Sequence, residues 1–303
     1  MTVHLTYPES IVIGALEGVT ELFPVSSLGH SVLIPALIGG RWARDLNVSA
    51  PESPYLAFIV GLHVATALAL LLFFWRDWLR IVGGFVTSVR HRRISTADER
   101  LAWMIVLATI PVGITGLLLE HTFRTVLGKP IPAAVFLMVN GAILYAAERM
   151  RRRAVRRGDE RVEPEHTADG VASDRRIATR GFGETTLIGA AQVLALLPGI
   201  SRSGATMAAG LSRGLDHEDA ARFSFLLATP VIFAAGLLKI PDLTGPLGAG
   251  IGGQVLAGSA ASFVCAYLSV RFLTRYFERR TLTPFAIYCA LAGLFSLIWL
   301  TTH

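Results

Sequence analysis

The sequence predicts an all-α polytopic membrane protein made of two inverted repeats, each a re-entrant helical hairpin plus three transmembrane helices. Three observations carry that prediction. The chain is 52% hydrophobic and 17% charged over 303 residues, with a mean hydropathy of +0.54, which is too apolar for an ordinary soluble domain. Six uninterrupted apolar segments approach the roughly 20 residues that cross a bilayer core. Two further apolar stretches, IGALEGVTELFPVSSLGH (13–30) and IGAAQVLALLPGISRSGAT (188–206), read as altered copies of one another. Each begins Ile-Gly-Ala, reaches a proline (Pro24, Pro198) and opens into a Ser- and Gly-containing segment. Breaks at corresponding places in two halves of a membrane chain point to a binding site where inverted repeats meet.

In chain order, the first repeat (1–150) opens with a hairpin over about 11–39 and continues with crossings at Tyr55–Trp75, Leu101–Glu120 and Pro132–Glu148. The Arg-rich stretch 151–183 is too polar to bury a core and reads as a flexible cytoplasmic loop. The second repeat (184–303) has a hairpin over about 185–215 and crossings at Ala220–Lys239, Ile251–Phe272 and Pro284–Leu300. Irregular backbone at membrane depth is tolerated only where protein or a water-filled cavity covers it, so both hairpins are expected beside a polar cavity.

Arginine concentrates at 76–100, 149–180 and 271–280, which assigns these stretches to the cytoplasm. Three crossings per half then force the two repeats into opposite orientations. The net charge of +6 is spread over these loops instead of one folded face, so topology and contact with anionic membrane lipids account for it and nucleic acid is not expected as a partner. The N-terminal MTVHLTYPES lacks a basic region and a small-residue cleavage pattern, which argues against a removable signal peptide. Cys265 and Cys289 fall in apolar segments and read as packing residues.

The breaks carry ionisable groups where lipid gives them no reason to be. Glu17 and Glu21, four apart, share a helix face; such a pair holds a cation or splits into acid and base. One of them capping a helix or pairing with an arginine is the plainer alternative. Ser26, Ser27 and His30 follow Pro24, where a restarting helix would offer free N–H groups and positive dipole to a phosphate. Ser27 and His30 share a face, so His30 is placed to act on a hydroxyl or phosphate oxygen; by itself Ser-x-x-His reads better as an N-cap with a backbone-bonded histidine. Ser201, Arg202, Ser203, Gly204 and Thr206 supply an anion cradle around a guanidinium fork, or Arg202 forms a structural ion pair with a first-hairpin glutamate.

LEGVTELFPVSSLGH (16–30) and PGISRSGAT (198–206) resemble the two signature motifs of the undecaprenyl pyrophosphate phosphatase family, also called bacitracin-resistance proteins. The runs LLFFWRDWLR from Leu71, RFSFLLATPVIFAAG from Arg222 and TPFAIYCALAG from Thr283 extend the resemblance over nearly the whole chain apart from the Arg-rich loop. It implies a phosphatase in the bacterial inner membrane that cleaves undecaprenyl diphosphate to undecaprenyl phosphate at the outer, periplasmic side, returning the carrier to peptidoglycan synthesis. By motif position, Glu17 and Glu21 would bind Mg²⁺ or Ca²⁺ or serve as acid and base. Ser27 would be the nucleophile, His30 its proton-transfer partner, and Arg202 the diphosphate clamp, with Ser26, Ser201, Ser203, Gly204 and Thr206 around the phosphate. Attack by serine or by water stays open, as does a homodimer. Two positions depart from the family pattern: Leu28, and His63 in the first full crossing, which reads as a packing histidine or as a cavity-lining one. The rival function is a polyprenyl-phosphate flippase or transporter, because inverted repeats with broken helices also build carriers.

Overall fold

A computed structural model describes residues 5–46, 54–157, 170–238, 240–245 and 250–303. Every regular element among them is helical. The first hairpin is α1 (Tyr7–Thr20), a non-helical turn, and α2 (Ser27–Ile38), followed by the short α3 (Gly40–Asp45). A capping box between Thr6 and Glu9, with Pro8 in the first turn, starts α1. The second hairpin is α9 (Phe182–Ala190), a 3₁₀ turn (Ala191–Leu196), a break, and α10 (Arg202–Ser212). Ser26 caps α2 and Ser201 caps α10, each accepting from the backbone N–H of the glycine three residues on, Gly29 and Gly204. The two breaks share this cap bond, while the cap backbones differ, with φ 70° at Ser26 and −84° at Ser201.

The crossings are α4 (Pro54–Phe73), α6 (Ala97–Leu127), α7 (Pro130–Arg157), α11 (His217–Leu238), α13 (Gly252–Phe277) and α14 (Thr283–Thr302), with α12 (Ile240–Thr244) between α11 and α13; Lys239, the expected end of one segment, lies outside the described residues. Five of these are long and apolar enough to span a membrane, and α4 forms a sixth apolar segment bent by 85° into α5 (Trp75–His91). The chain is a multi-pass membrane protein.

Two regions expected to be irregular are helical. The basic stretch after Trp75 forms α5, whose Leu79, Val82, Val86 and Val89 make one exposed apolar face. An amphipathic helix turned nearly perpendicular to its neighbour suits the membrane interface. Within 151–183, expected to be a flexible loop, α7 continues to Arg157 and α8 (Gly170–Ala178) is docked; residues 158–169 lie outside the described ones. Buried Asp174 of α8 accepts from Arg222 Nε and Nη2 at 2.7 and 2.8 Å and also pairs with Arg80. Arg222 reaches Asp77 at 2.8 Å and lies over the Phe74 ring, so this network holds the α4–α5 bend.

The repeated Ile-Gly-Ala sets an exchanged packing. A Cβ on Gly14 would strike the backbone carbonyl of Gly258 in α13, and one on Gly189 the carbonyl of Ala108 in α6. Thus α1 packs along α13 and α9 along α6, while α7 packs along α14. Close backbone approach through small residues is the usual way membrane helices associate, since lipid removes the hydrophobic drive between them.

Candidate active site

The hairpin tips meet. Gly199 adopts φ +111°, where a side chain is strained and where a Cβ would also strike the Ala133 carbonyl and lie 2.7 Å from the Leu137 nitrogen of α7. Ser26 Oγ accepts N–H bonds from Gly29 and Gly199, each at 3.2 Å, and so ties one tip to the other. Ser26 itself has φ 70°, rare for a residue with a Cβ. Strain of this kind persists only where the surroundings over-determine it, and it clusters at functional sites. The strained residue immediately precedes Ser27.

Ser201 and Ser203 donate to the Phe23 carbonyl at 3.3 and 3.1 Å, and the Asn140 amide spans Pro24 O and Ser201 N at 3.0 Å each. These bonds fix the second tip against the first. The Thr206 hydroxyl donates to Arg202 O within α10, at 2.9 Å, and Gly204 N donates to the capping Ser201 Oγ. Both stabilise the start of α10, which carries Arg202.

Four expected residues converge. Glu21 accepts from Ser27 Oγ on Oε2 and from Arg202 Nη2 at 2.9 Å on Oε1. Glu17 accepts from Ser31 at 3.3 Å on Oε2 and lies 3.2 Å from His63 Nε2 on Oε1. The side chains of Glu17, Glu21 and Arg202 are 2%, 8% and 11% exposed, and that of His63 32%, so His63 is the member that faces outward. Among the described residues, buried Arg202 Nη1 has no hydrogen-bond partner. A guanidinium held on one side by a carboxylate and unsatisfied on the other is suited to an anion.

Two readings that the sequence left open are narrowed. The hydroxyl of Ser27 goes to Glu21, whereas His30 Nδ1 meets Ser26 O at 2.7 Å and His30 Nε2 meets Tyr288 Oη at 2.8 Å. The side chain at 30 turns back along its own helix instead of toward Ser27. His63 is not a packing residue: ligand atoms of Glu17, Glu21 and His63 all lie within 4.8 Å of one another. Two carboxylates and an imidazole converging in this way fit one divalent cation. Two further members had little signal in the sequence, and a third had one. Tyr288 and Tyr55 look like ordinary membrane aromatics, yet Tyr288 fixes His30 and the buried Tyr55 lies beside Glu17 and Ser31. Asn140 was findable, as a buried amide in an apolar crossing.

A family profile described as "Bacitracin resistance protein BacA" matches residues 10–295. Proteins named undecaprenyl-diphosphatase from Mycolicibacterium paratuberculosis and Mycobacterium avium are each 70% identical to this chain over 302 residues, 99% of either chain. Undecaprenyl-diphosphatase 2 of Chromobacterium violaceum is 41% identical over 295 residues, 96% of this chain and 98% of the relative. With the profile covering both hairpins and nearly every crossing, the chain belongs to the BacA bacitracin-resistance protein family.

Proposed function

We propose that this protein is a membrane phosphatase that hydrolyses undecaprenyl diphosphate to undecaprenyl phosphate and inorganic phosphate, recycling the lipid carrier for peptidoglycan synthesis and so conferring bacitracin resistance. The observation that carries the reading is Glu21, which at once accepts the Ser27 proton donor and holds Arg202. Relatives that carry the diphosphatase name over their full length support the substrate.

Phosphoryl transfer asks for positioning and charge stabilisation more than for covalent chemistry. Ser27 Oγ attacks the terminal phosphorus, its proton passes to Glu21, and the bond to the bridging oxygen breaks to release undecaprenyl phosphate. Water then hydrolyses the phosphoserine, and Glu21 returns a proton to Ser27. Arg202 Nη1 binds the non-bridging oxygens, whose charge it stabilises in a site shielded from water. Bound by Glu17 and Glu21, a divalent cation such as Mg²⁺ or Ca²⁺ would supply further neutralisation of the diphosphate. His30 acts by holding the strained turn at Ser26. The hydroxyls of Ser201, Ser203 and Thr206 act through the placement of α10.

The exchanged packing of α1 on α13 and α9 on α6 supports an inverted repeat. The arginine-rich stretches also share one end of the bundle, where Arg152 bonds Thr283, His217 bonds Glu148 and Arg100 bonds Ala178 O. Lys/Arg bias assigns that end to the cytoplasm, and opening of the site to the opposite, periplasmic side of a bacterial inner membrane is part of the proposal. One chain supplies every residue of the site, so a homodimer is not required for it.

The test is phosphate release from undecaprenyl or farnesyl diphosphate by the purified protein in detergent, with Mg²⁺, Ca²⁺ or chelator. Release that is lost in Glu21→Gln and Arg202→Ala supports the phosphatase. Folded wild-type protein that releases nothing under any of these conditions supports a polyprenyl-phosphate carrier built on the same site.

A further inference from the structure

We infer that His63 is the third ligand of the cation site with Glu17 and Glu21, and that its imidazole biases the site toward a first-row transition ion of the Mn²⁺ class over Mg²⁺ or Ca²⁺. The inference rests on the phosphatase reading only for the use of the ion, not for its binding.

Three geometric facts converge. His63 Nε2 lies 3.2 Å from Glu17 Oε1 and 4.0 Å from Glu21 Oε2. Donors bonded to one ion at about 2.1 Å stand about 3 Å apart at right angles and about 4.2 Å apart in trans, so both separations suit ligands of a single ion. The remaining oxygens are otherwise engaged: Glu17 Oε2 by Ser31 and Glu21 Oε1 by Arg202. Glu17 Oε1, Glu21 Oε2 and His63 Nε2 face one another, and Glu21 Oε2, which also accepts from Ser27 Oγ, keeps a second lone pair for an ion. His63 is also the most exposed of the three, which gives an ion a route in without opening the buried carboxylates.

Chemistry selects among ions. Mg²⁺ and Ca²⁺ favour all-oxygen shells, and Mg²⁺ parts with its waters reluctantly. A neutral imidazole nitrogen suits softer first-row ions, whose affinity for mixed nitrogen and oxygen sites rises along the series from Mn²⁺. The structure offers one such nitrogen in a site that otherwise holds only carboxylates. The competing account makes His63 a protonated counter-ion of Glu17, which would leave no nitrogen bonded to any ion.

The experiment uses the full-length, metal-stripped protein in detergent, loaded with one equivalent of Mn²⁺. Pulsed electron paramagnetic resonance is expected to show a directly bonded ¹⁴N nucleus, replaced by ¹⁵N when the protein is grown with [¹⁵N]histidine. His63→Gln should abolish that coupling, weaken Mn²⁺ binding about tenfold or more and change Mg²⁺ binding less than about threefold, while His30→Gln keeps the coupling. No bound Mn²⁺, no nitrogen coupling in wild type, or coupling that persists in His63→Gln overturns the assignment. The isotope comparison needs no variant, so poor folding of His63→Gln does not remove the test. Phosphate release without nitrogen coupling sinks the His63 ligand and leaves the phosphatase; nitrogen coupling without release under any metal does the reverse.

Discussion

Arg202 and Glu21 stand 181 residues apart in the chain and 2.9 Å apart in space, one from each hairpin. The pair joins the halves of the molecule through the site itself. Because both groups are nearly buried, each is the other's counter-charge. Arg202→Ala is expected to lower kcat/KM for farnesyl diphosphate at least about 100-fold, and Glu21→Gln by a similar factor. The double variant should lose little more than either single one, because residues acting as a unit are non-additive. Steady-state kinetics on the four proteins checks this; losses that multiply would mean that the two residues act separately.

Ser27→Ala separates serine attack from water attack. With the Ser27 hydroxyl bonded to Glu21, removal of the oxygen removes the nucleophile, and kcat should fall by about 1,000-fold or more while KM changes little. A fall of less than about tenfold would assign attack to a water activated by Glu21. Trapping a phosphoserine after rapid acid quench of wild type gives the same answer without a variant.

His30 is wired to Tyr288, not to Ser27. The Ser26 carbonyl accepts from Nδ1–H, so Nε2 is left to accept from the Tyr288 hydroxyl, and the two rings stack with centroids 5.8 Å apart. Tyr288→Phe should keep the stack and lose the bond, reducing kcat only about two- to fivefold. His30→Ala frees the strained turn at Ser26 and should cost more than about 50-fold. A larger effect from Tyr288→Phe than from His30→Ala would contradict the positioning role.

The sequence is legible where physics makes a residue costly. Glu17, Glu21, Ser27 and Arg202 stand out because a bilayer penalises them, and the fold shows them together. His63 escapes that logic, since a lone histidine in a crossing is cheap when neutral and hydrogen-bonded; only the approach of α4 to α1 reveals its two carboxylate neighbours. The opposite error arises at α5 and α8. Arginines and aspartates there lower the local hydropathy, so composition suggests loop, yet Asp77, Asp174 and Arg222 consume those charges in tertiary pairs. The orientation of His30 is a matter of rotamer, which spacing along a helix does not determine.

Helix contact through glycine predicts an asymmetric response to one added methyl. Gly14→Ala and Gly189→Ala place a Cβ against backbone, which cannot yield as a side chain does, and each should lower stability by about 1–3 kcal/mol. Gly83 in α5 has nothing within 4 Å of the same position, so Gly83→Ala should be neutral or slightly stabilising. Thermal unfolding in detergent orders the three. Equal melting temperatures would mean that the interhelical contacts relax freely.

Asp174 tests whether the linker helix is structural. Its carboxylate is 1% exposed and is shared by Arg222 and Arg80, so Asp174→Ala leaves two guanidiniums competing for Asp77 and Asp98 next to an aromatic ring. Removing one partner of a buried pair costs about 3–5 kcal/mol, and the loss should appear as a lower melting temperature and earlier proteolysis within α8. Asp174 lies in a different cluster from Glu21, so the folded fraction should retain release within about threefold of wild type. Restoring charge with Asp174→Glu should recover part of the stability. If Asp174→Ala melts like wild type, the network around Phe74 is only a surface pairing and α8 is docked by Ile177 and its apolar neighbours alone.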